Sequence, residues 1–156
     1  MKTSKLILSL AIAAAATGSS LAAPKQADAT SSANRTIISA SQANNPYEVA
    51  GIDNPAEFHD FFLKLQRAVK KNDKKAVASM MHYPLNVNTG GKTYKFWTPE
   101  RFIAKYDAIM TTKVRKTLGY AIEDDLFVSW KGVSVGDGAL WISQFNGEIA
   151  VYGVNK

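Results

Sequence analysis

The chain contains no cysteine and only two histidines, His59 and His82. Disulfides are therefore excluded, and the fold must draw its stability from a packed core. A catalytic zinc site needs three protein ligands held close together, and two histidines without a thiol make that set hard to assemble. Acidic side chains are the minority: thirteen Asp and Glu stand against nineteen Lys and Arg, a formal net charge of +6. The long apolar run at the start, Leu6 to Ala16, is too short to span a bilayer.

That run has the marks of an export signal. Lys2 and Lys5 charge the segment before it, and Ser20-Leu21-Ala22 offers small residues for cleavage. We expect a signal over residues 1–22 and a mature protein in the periplasm or outside the cell, with no membrane span once the signal is removed. Without a cysteine, a lipid anchor attached through that residue is excluded. Setting Lys2 and Lys5 aside leaves seventeen basic against thirteen acidic side chains, a net charge of +4. Nucleic acid is not an expected partner in that compartment. A basic surface there points to anionic envelope components or acidic proteins.

Every aromatic residue follows Asn45. Residues 23–45, rich in Ala, Ser, Thr and Asn, are expected to form a flexible tether, with Thr36-Ile37-Ile38 as its one apolar point and a candidate edge strand. Residues 46–156 suit a single domain. Asn54-Pro55-Ala56-Glu57 is a helix start, and Phe58, Phe61, Phe62, Leu65 and Val69 then recur at helical spacing. The other side of that helix carries Lys64, Arg67 and Lys71. Asn72-Asp73 predicts a second, shorter helix through Met81, ended by Tyr83-Pro84. A short hairpin over Leu85–Trp97 follows. A third helix begins at Thr98-Pro99-Glu100, with Phe102, Ile103, Tyr106, Ile109 and Met110 inward; Thr111-Thr112 breaks it, and Lys113–Leu118 reads as another turn or two of helix. Glu123-Asp124-Asp125 reads as a solvated loop.

From Leu126 to Val154 three runs rich in β-branched and aromatic residues are separated by Asp137-Gly138 and Asn146-Gly147. Those dipeptides supply the positive φ angles of two-residue hairpin turns, so a three-stranded antiparallel meander is expected. The turns fix a register: Val135 opposite Leu140, Val133 opposite Ile142, Gln144 opposite Ile149 and Trp141 opposite Tyr152. Val133, Val135, Leu140, Ile142, Ile149 and Val151 then share an aliphatic face that calls for helices. Trp130, Ser134, Ala139, Trp141, Ser143 and Tyr152 share the other, whose mixture of aromatic and small polar groups suits pocket walls and protein interfaces.

Chemical signatures are weak. Gly90-Gly91-Lys92-Thr93 has part of a phosphate-binding loop, but Asn86 occupies the position of its first glycine and the segment lies in a hairpin. No metal site or cofactor is expected. Acid–base catalysis would use His82 or Asp107, with Asp60 nearby and Tyr83, Tyr94 and Tyr106 to orient a ligand.

The order helix, helix, hairpin, helix, meander over Asn54–Asn155 resembles the nuclear transport factor 2-like superfamily. Trp130-x-Gly-x-x-x-Gly-x-Gly-x-x-Trp141 and the Phe61–Tyr83 portion ending in Tyr-Pro-Leu look like small secreted bacterial members. The resemblance implies a cone-shaped α+β fold, with N-terminal helices packed on a curved antiparallel sheet. It also implies a pocket at the wide end and frequent homodimerisation through the sheet. Some members are enzymes and others only bind proteins. The leading expectation is an exported, non-enzymatic binding protein. It would hold a small apolar or amphipathic ligand in the cone pocket, or an envelope protein on the aromatic face. Trp97, Trp130, Trp141, Tyr152 and Tyr106 are the candidate binding residues. An inhibitor or immunity protein directed against a secreted enzyme is one alternative. A small isomerase or hydrolase using His82 or Asp107 is the other.

Overall fold

Asn54 begins the first helix with its own side chain. Its oxygen accepts a hydrogen bond from the Ala56 amide at 3.0 Å, and its amide group donates to Glu57 Oε1 at 3.1 Å. The structure, a computed structural model, describes residues 45–156. The expected signal, the tether up to Asn44 and the Thr36–Ile38 point lie outside the described residues.

Helix α1 spans Pro55–Lys70 and buries Phe58, Phe62, Leu65, Ala68 and Val69. Asp73 caps the shorter α2, Lys74–Ser79, by accepting from the Ala76 amide. Strands β1, Met81–Thr89, and β2, Lys92–Phe96, form the hairpin. Three helical pieces follow: α3 over Pro99–Ala104, α4 over Tyr106–Ile109 and α5 over Thr112–Tyr120. After a 3₁₀ turn at Glu123–Asp125 come β3, Phe127–Ser129; β4, Gly132–Val135; β5, Leu140–Phe145; and β6, Glu148–Asn155. Among the described residues no helix is long and apolar enough to cross a membrane.

The six strands form one sheet in the order β2-β1-β6-β5-β4-β3. All neighbours are antiparallel except β1 and β6, which run parallel. The sheet is therefore mixed rather than wholly antiparallel. Joining parallel neighbours requires a long connection across the molecule, and the helices α3–α5 with the meander provide it. Helices lie on one face, giving an α+β fold with an open, curved sheet.

Both predicted turns form with two consecutive positive φ angles, 54° and 86° at Asp137-Gly138 and 51° and 86° at Asn146-Gly147. Val133 pairs with Ile142, Val135 with Leu140 and Gln144 with Ile149, as the turns dictate. Four expectations are corrected. The meander has four strands, because the Trp130-Lys131 turn divides its first run into β3 and β4. Trp141 pairs with Gly153 rather than Tyr152, because one extra residue bulges β6 between its pairings with Trp141 and Ile142. Met81 to Pro84 belong to β1 and not to a helix end, since the Val151 amide donates to Met80 O and draws the chain into the sheet. The third helix is also interrupted, at Lys105.

Phe58, Phe62, Phe102, Tyr106, Ile109 and Leu118 fill the space beneath the helices. They meet Val133, Val135, Leu140, Ile142, Val151 and Val154 of the sheet. Burying each large apolar side chain contributes about 1.5–3 kcal/mol. This layer occupies the interior where the expected cone pocket would lie.

Candidate binding face

The face of the sheet turned away from the helices can be read from the register. One row of paired residues crosses all six strands: Lys95, Asn86, Gly153, Trp141, Ser134 and Phe127. Paired neighbours share a face, and the adjacent residues Val87, Val154, Leu140, Ile142, Val133 and Val135 are buried on the helical side. Trp141 lies over Gly153, where a Cβ would come within 3.6 Å of the Trp141 Cβ. Ser134, buried between Trp141 and Phe127, completes the centre.

Polar side chains border one side of this row. Thr93 Oγ1 donates to Asn88 Oδ1 at 2.6 Å, Asn88 Nδ2 donates to Asn155 Oδ1 at 2.7 Å, and Asn155 Nδ2 donates to Gly138 O. This chain of amides ties the hairpin, β6 and the β4–β5 turn together. Because each amide is engaged on both sides, the three strands are locked in one register.

Aromatic rings border the other side. His82 stacks on Phe145 with ring centroids 4.0 Å apart and an interplanar angle of 18°. Phe145 meets Tyr152 edge-on at 5.8 Å, and Tyr152 donates its hydroxyl to Lys131 O at 2.6 Å. That bond ties β6 to the turn bearing Trp130. Trp130 is 78% exposed, with Lys131 Nζ 5.3 Å from its ring centroid, and Phe127 is 65% exposed. Trp97 is also exposed, with Lys95 Nζ 6.0 Å from its ring. An ammonium over an exposed indole is worth about 0.5–1 kcal/mol.

The five predicted binding residues thus divide. Trp141 and Tyr152 belong to this face, and Trp130 stands at its rim on a turn rather than on a strand. Trp97 follows β2, flanking the Lys95 end. Tyr106 does not belong to any open surface. It is 1% exposed and stands edge-on to Phe102, and burial raises its pKa. Its hydroxyl has no hydrogen-bond partner among the described residues. A tyrosine at helical spacing is as good a core residue as a ligand contact, and here α4 turns it inward.

The two catalytic candidates are far apart in role. His82 is a half-buried ring in the aromatic stack. Asp107 is exposed on the helical layer, bonded to Lys74 Nζ at 2.7 Å and to Arg115 at 3.3 Å. The Lys74 hydrogen bond, helped by the charges of Lys74 and Arg115, holds the Asp107 carboxyl below its usual pKa. A carboxylate so paired is a poor proton acceptor at neutral pH. Among the described residues no group of three His, Asp or Glu side chains is placed to hold a metal ion.

The sequence matches no protein-family model, and no curated protein is significantly similar to it.

Two contributors escape a reading of the sequence. Phe127 enters the face only because Trp130-Lys131 forms a turn. Phe145 becomes the link between His82 and Tyr152 only through the bulge in β6. Gly132, with φ 123° and a tight approach to β5, was the available signal for the first. Glu123 is also more than a solvated acid: it accepts from the Tyr47 hydroxyl at 2.9 Å and lies 2.7 Å from His59 Nδ1.

Proposed function

We propose that this chain is an exported, non-enzymatic binding protein of nuclear-transport-factor-2-like architecture, and that it meets a protein partner on the open face of its sheet. The observation that carries this reading is the aromatic surface formed by Phe127, Trp130, Trp141, Phe145 and Tyr152, on the side of the sheet opposite the buried Val133, Val135, Leu140 and Ile142. Aromatic anchors around small buried residues are the composition of interface centres. The order of helices, hairpin and meander supports the architectural part. The signal-like start supports a periplasmic or secreted location.

An internal small-ligand pocket has less support, because the residues that would line it are packed together. Catalysis by His82 or Asp107 has less again, since each side chain is engaged as described and the two lie on different layers. A second copy of the chain and another envelope protein are the two partners such a face admits.

Native mass spectrometry of the full chain, purified gently from its own cells, tests the reading. Wild type and Trp130→Ala should be compared. A homodimer or a second protein in the wild type, lost or much reduced in Trp130→Ala, is the expected result. A bound compound of a few hundred daltons, retained equally in both, would overturn it.

A further inference from the structure

On the opposite side of the sheet, α1 and α5 present matching stripes to one another. Leu63, Gln66, Arg67 and Lys70 follow helical spacing on α1, and Thr112, Arg115, Lys116 and Gly119 follow the same spacing on α5. Between them lies a groove of about 520 Å³, within the range of small-molecule sites. Four of its lining side chains are cationic, drawn equally from two distant stretches of sequence, and no carboxylate lines it.

Two features make the groove a fixed shape. Gln66 Nε2 donates to both Leu118 O and Ala121 O at 2.9 Å, pinning the end of α5 to the middle of α1. Arg115 is aimed by its bond to Met110 O at 2.8 Å, with Asp107 reaching the same nitrogen at 3.3 Å. Arg67, Lys70 and Lys116 have no carboxylate partner among the described residues. Leu63, Val69 and the aromatic ring of Tyr120 add apolar surface. Gly119 leaves the space open, since a Cβ there meets nothing within 4 Å.

We propose that this groove binds a phosphate-headed amphiphile. The head group would lie among Arg67, Lys70, Arg115 and Lys116, where guanidinium forks suit phosphate oxygens. The apolar body would lie against Leu63 and Tyr120. This site is separate from the open sheet face and stands or falls without it.

Amide chemical shifts of the full chain, titrated with dodecyl phosphate below its micelle concentration, provide the test. Inorganic phosphate and the neutral dodecyl maltoside serve as comparison probes. Dodecyl phosphate should shift the Lys70 and Gly119 amides, binding at least about tenfold more tightly than either other probe. Neutralising two surface charges in Lys70→Gln/Lys116→Gln should weaken it by about tenfold, and added salt should weaken it in the wild type. Gly119→Leu should abolish it by filling the groove. Equal binding of inorganic phosphate would reduce the site to a simple anion patch and overturn the proposal. Equal binding of dodecyl maltoside, or unchanged binding in both variants, would overturn it too. Binding only to anionic vesicles, with no response to the monomeric probe, would reassign the cations to a membrane surface and likewise overturn it.

Discussion

Replacing Gly132 by alanine should damage the candidate binding face more than any other single methyl added at a turn of its hairpins. Gly132 has φ 123°, a conformation that L residues rarely adopt. A Cβ built there overlaps the carbonyl oxygen of Ile142 and lies 3.3 Å from the carbonyl carbon and 3.4 Å from Ser143 Cβ. The obstacle is backbone, so it cannot rotate away. Two costs follow: backbone strain of about 1–2 kcal/mol, and about 1–3 kcal/mol for forcing β4 from β5. Gly147 is the natural control, because its φ is 86° but nothing lies within 4 Å of its Cβ. Gly147→Ala should carry the strain alone. Gly132→Ala should therefore lose about 2–5 kcal/mol against about 1–2 kcal/mol for the control. The first is a large share of a typical domain stability of about 5–15 kcal/mol. Urea unfolding followed by tryptophan fluorescence measures both, with the slope checked for constancy. Equal midpoints for the two variants would refute the close approach of β4 and β5, and with it the placement of the Trp130 turn.

Three further outcomes test other contacts. A Cβ at Gly136 overlaps Thr117 Cγ2, so Gly136→Ala should destabilise, and Thr117→Ser should recover about 1 kcal/mol in a double-mutant cycle; strict additivity would mean that α5 does not press on that turn. Tyr106→Phe removes a buried hydroxyl without a partner among the described residues, and should raise stability by about 1 kcal/mol and Tm by about 4 °C; a fall of similar size in a thermal scan would show the hydroxyl to be bonded. Asp107 has its folded pKa lowered by Lys74 and Arg115, so its stabilising effect is present above the unfolded value near about 3.9 and is lost as pH falls through the folded value. The Tm gap between wild type and Asp107→Asn should therefore be open at neutral pH and close in strong acid, and a gap that widened in acid would contradict the pairing.

Local signals in the sequence were reliable where one residue type has one physical use. Asn54, Asp73, Thr98 and Thr111 each cap the helix they precede, and the Asp-Gly and Asn-Gly turns set the aliphatic register of the meander. The binding face was only partly legible. Trp141 and Tyr152 were recognisable as outward residues, but their pairing depended on a bulge, which costs nothing in composition and leaves no turn dipeptide. Trp130-Lys131 was marked only by the glycine that follows it, Gly132, and a lone glycine within a strand pattern does not by itself separate a turn from a continuous strand. Tyr106 was read both as an inward residue of the third helix and as a ligand contact, because helical spacing alone does not distinguish a core ring from a pocket ring; the structure places it in the core. The groove between α1 and α5 joins cations almost fifty positions apart in the chain, and only the packing of the two helices reveals it.

The central place of β6 has a consequence for how the molecule is made. The hairpin β1–β2 and the strands β3–β5 have no pairing with each other; β6 alone joins them, and it is the last strand in chain order. During synthesis the two parts would exist with unsatisfied strand edges until Glu148–Asn155 arrives. Such a chain commits late to its final form, because neither part can complete the sheet before its last strand is made.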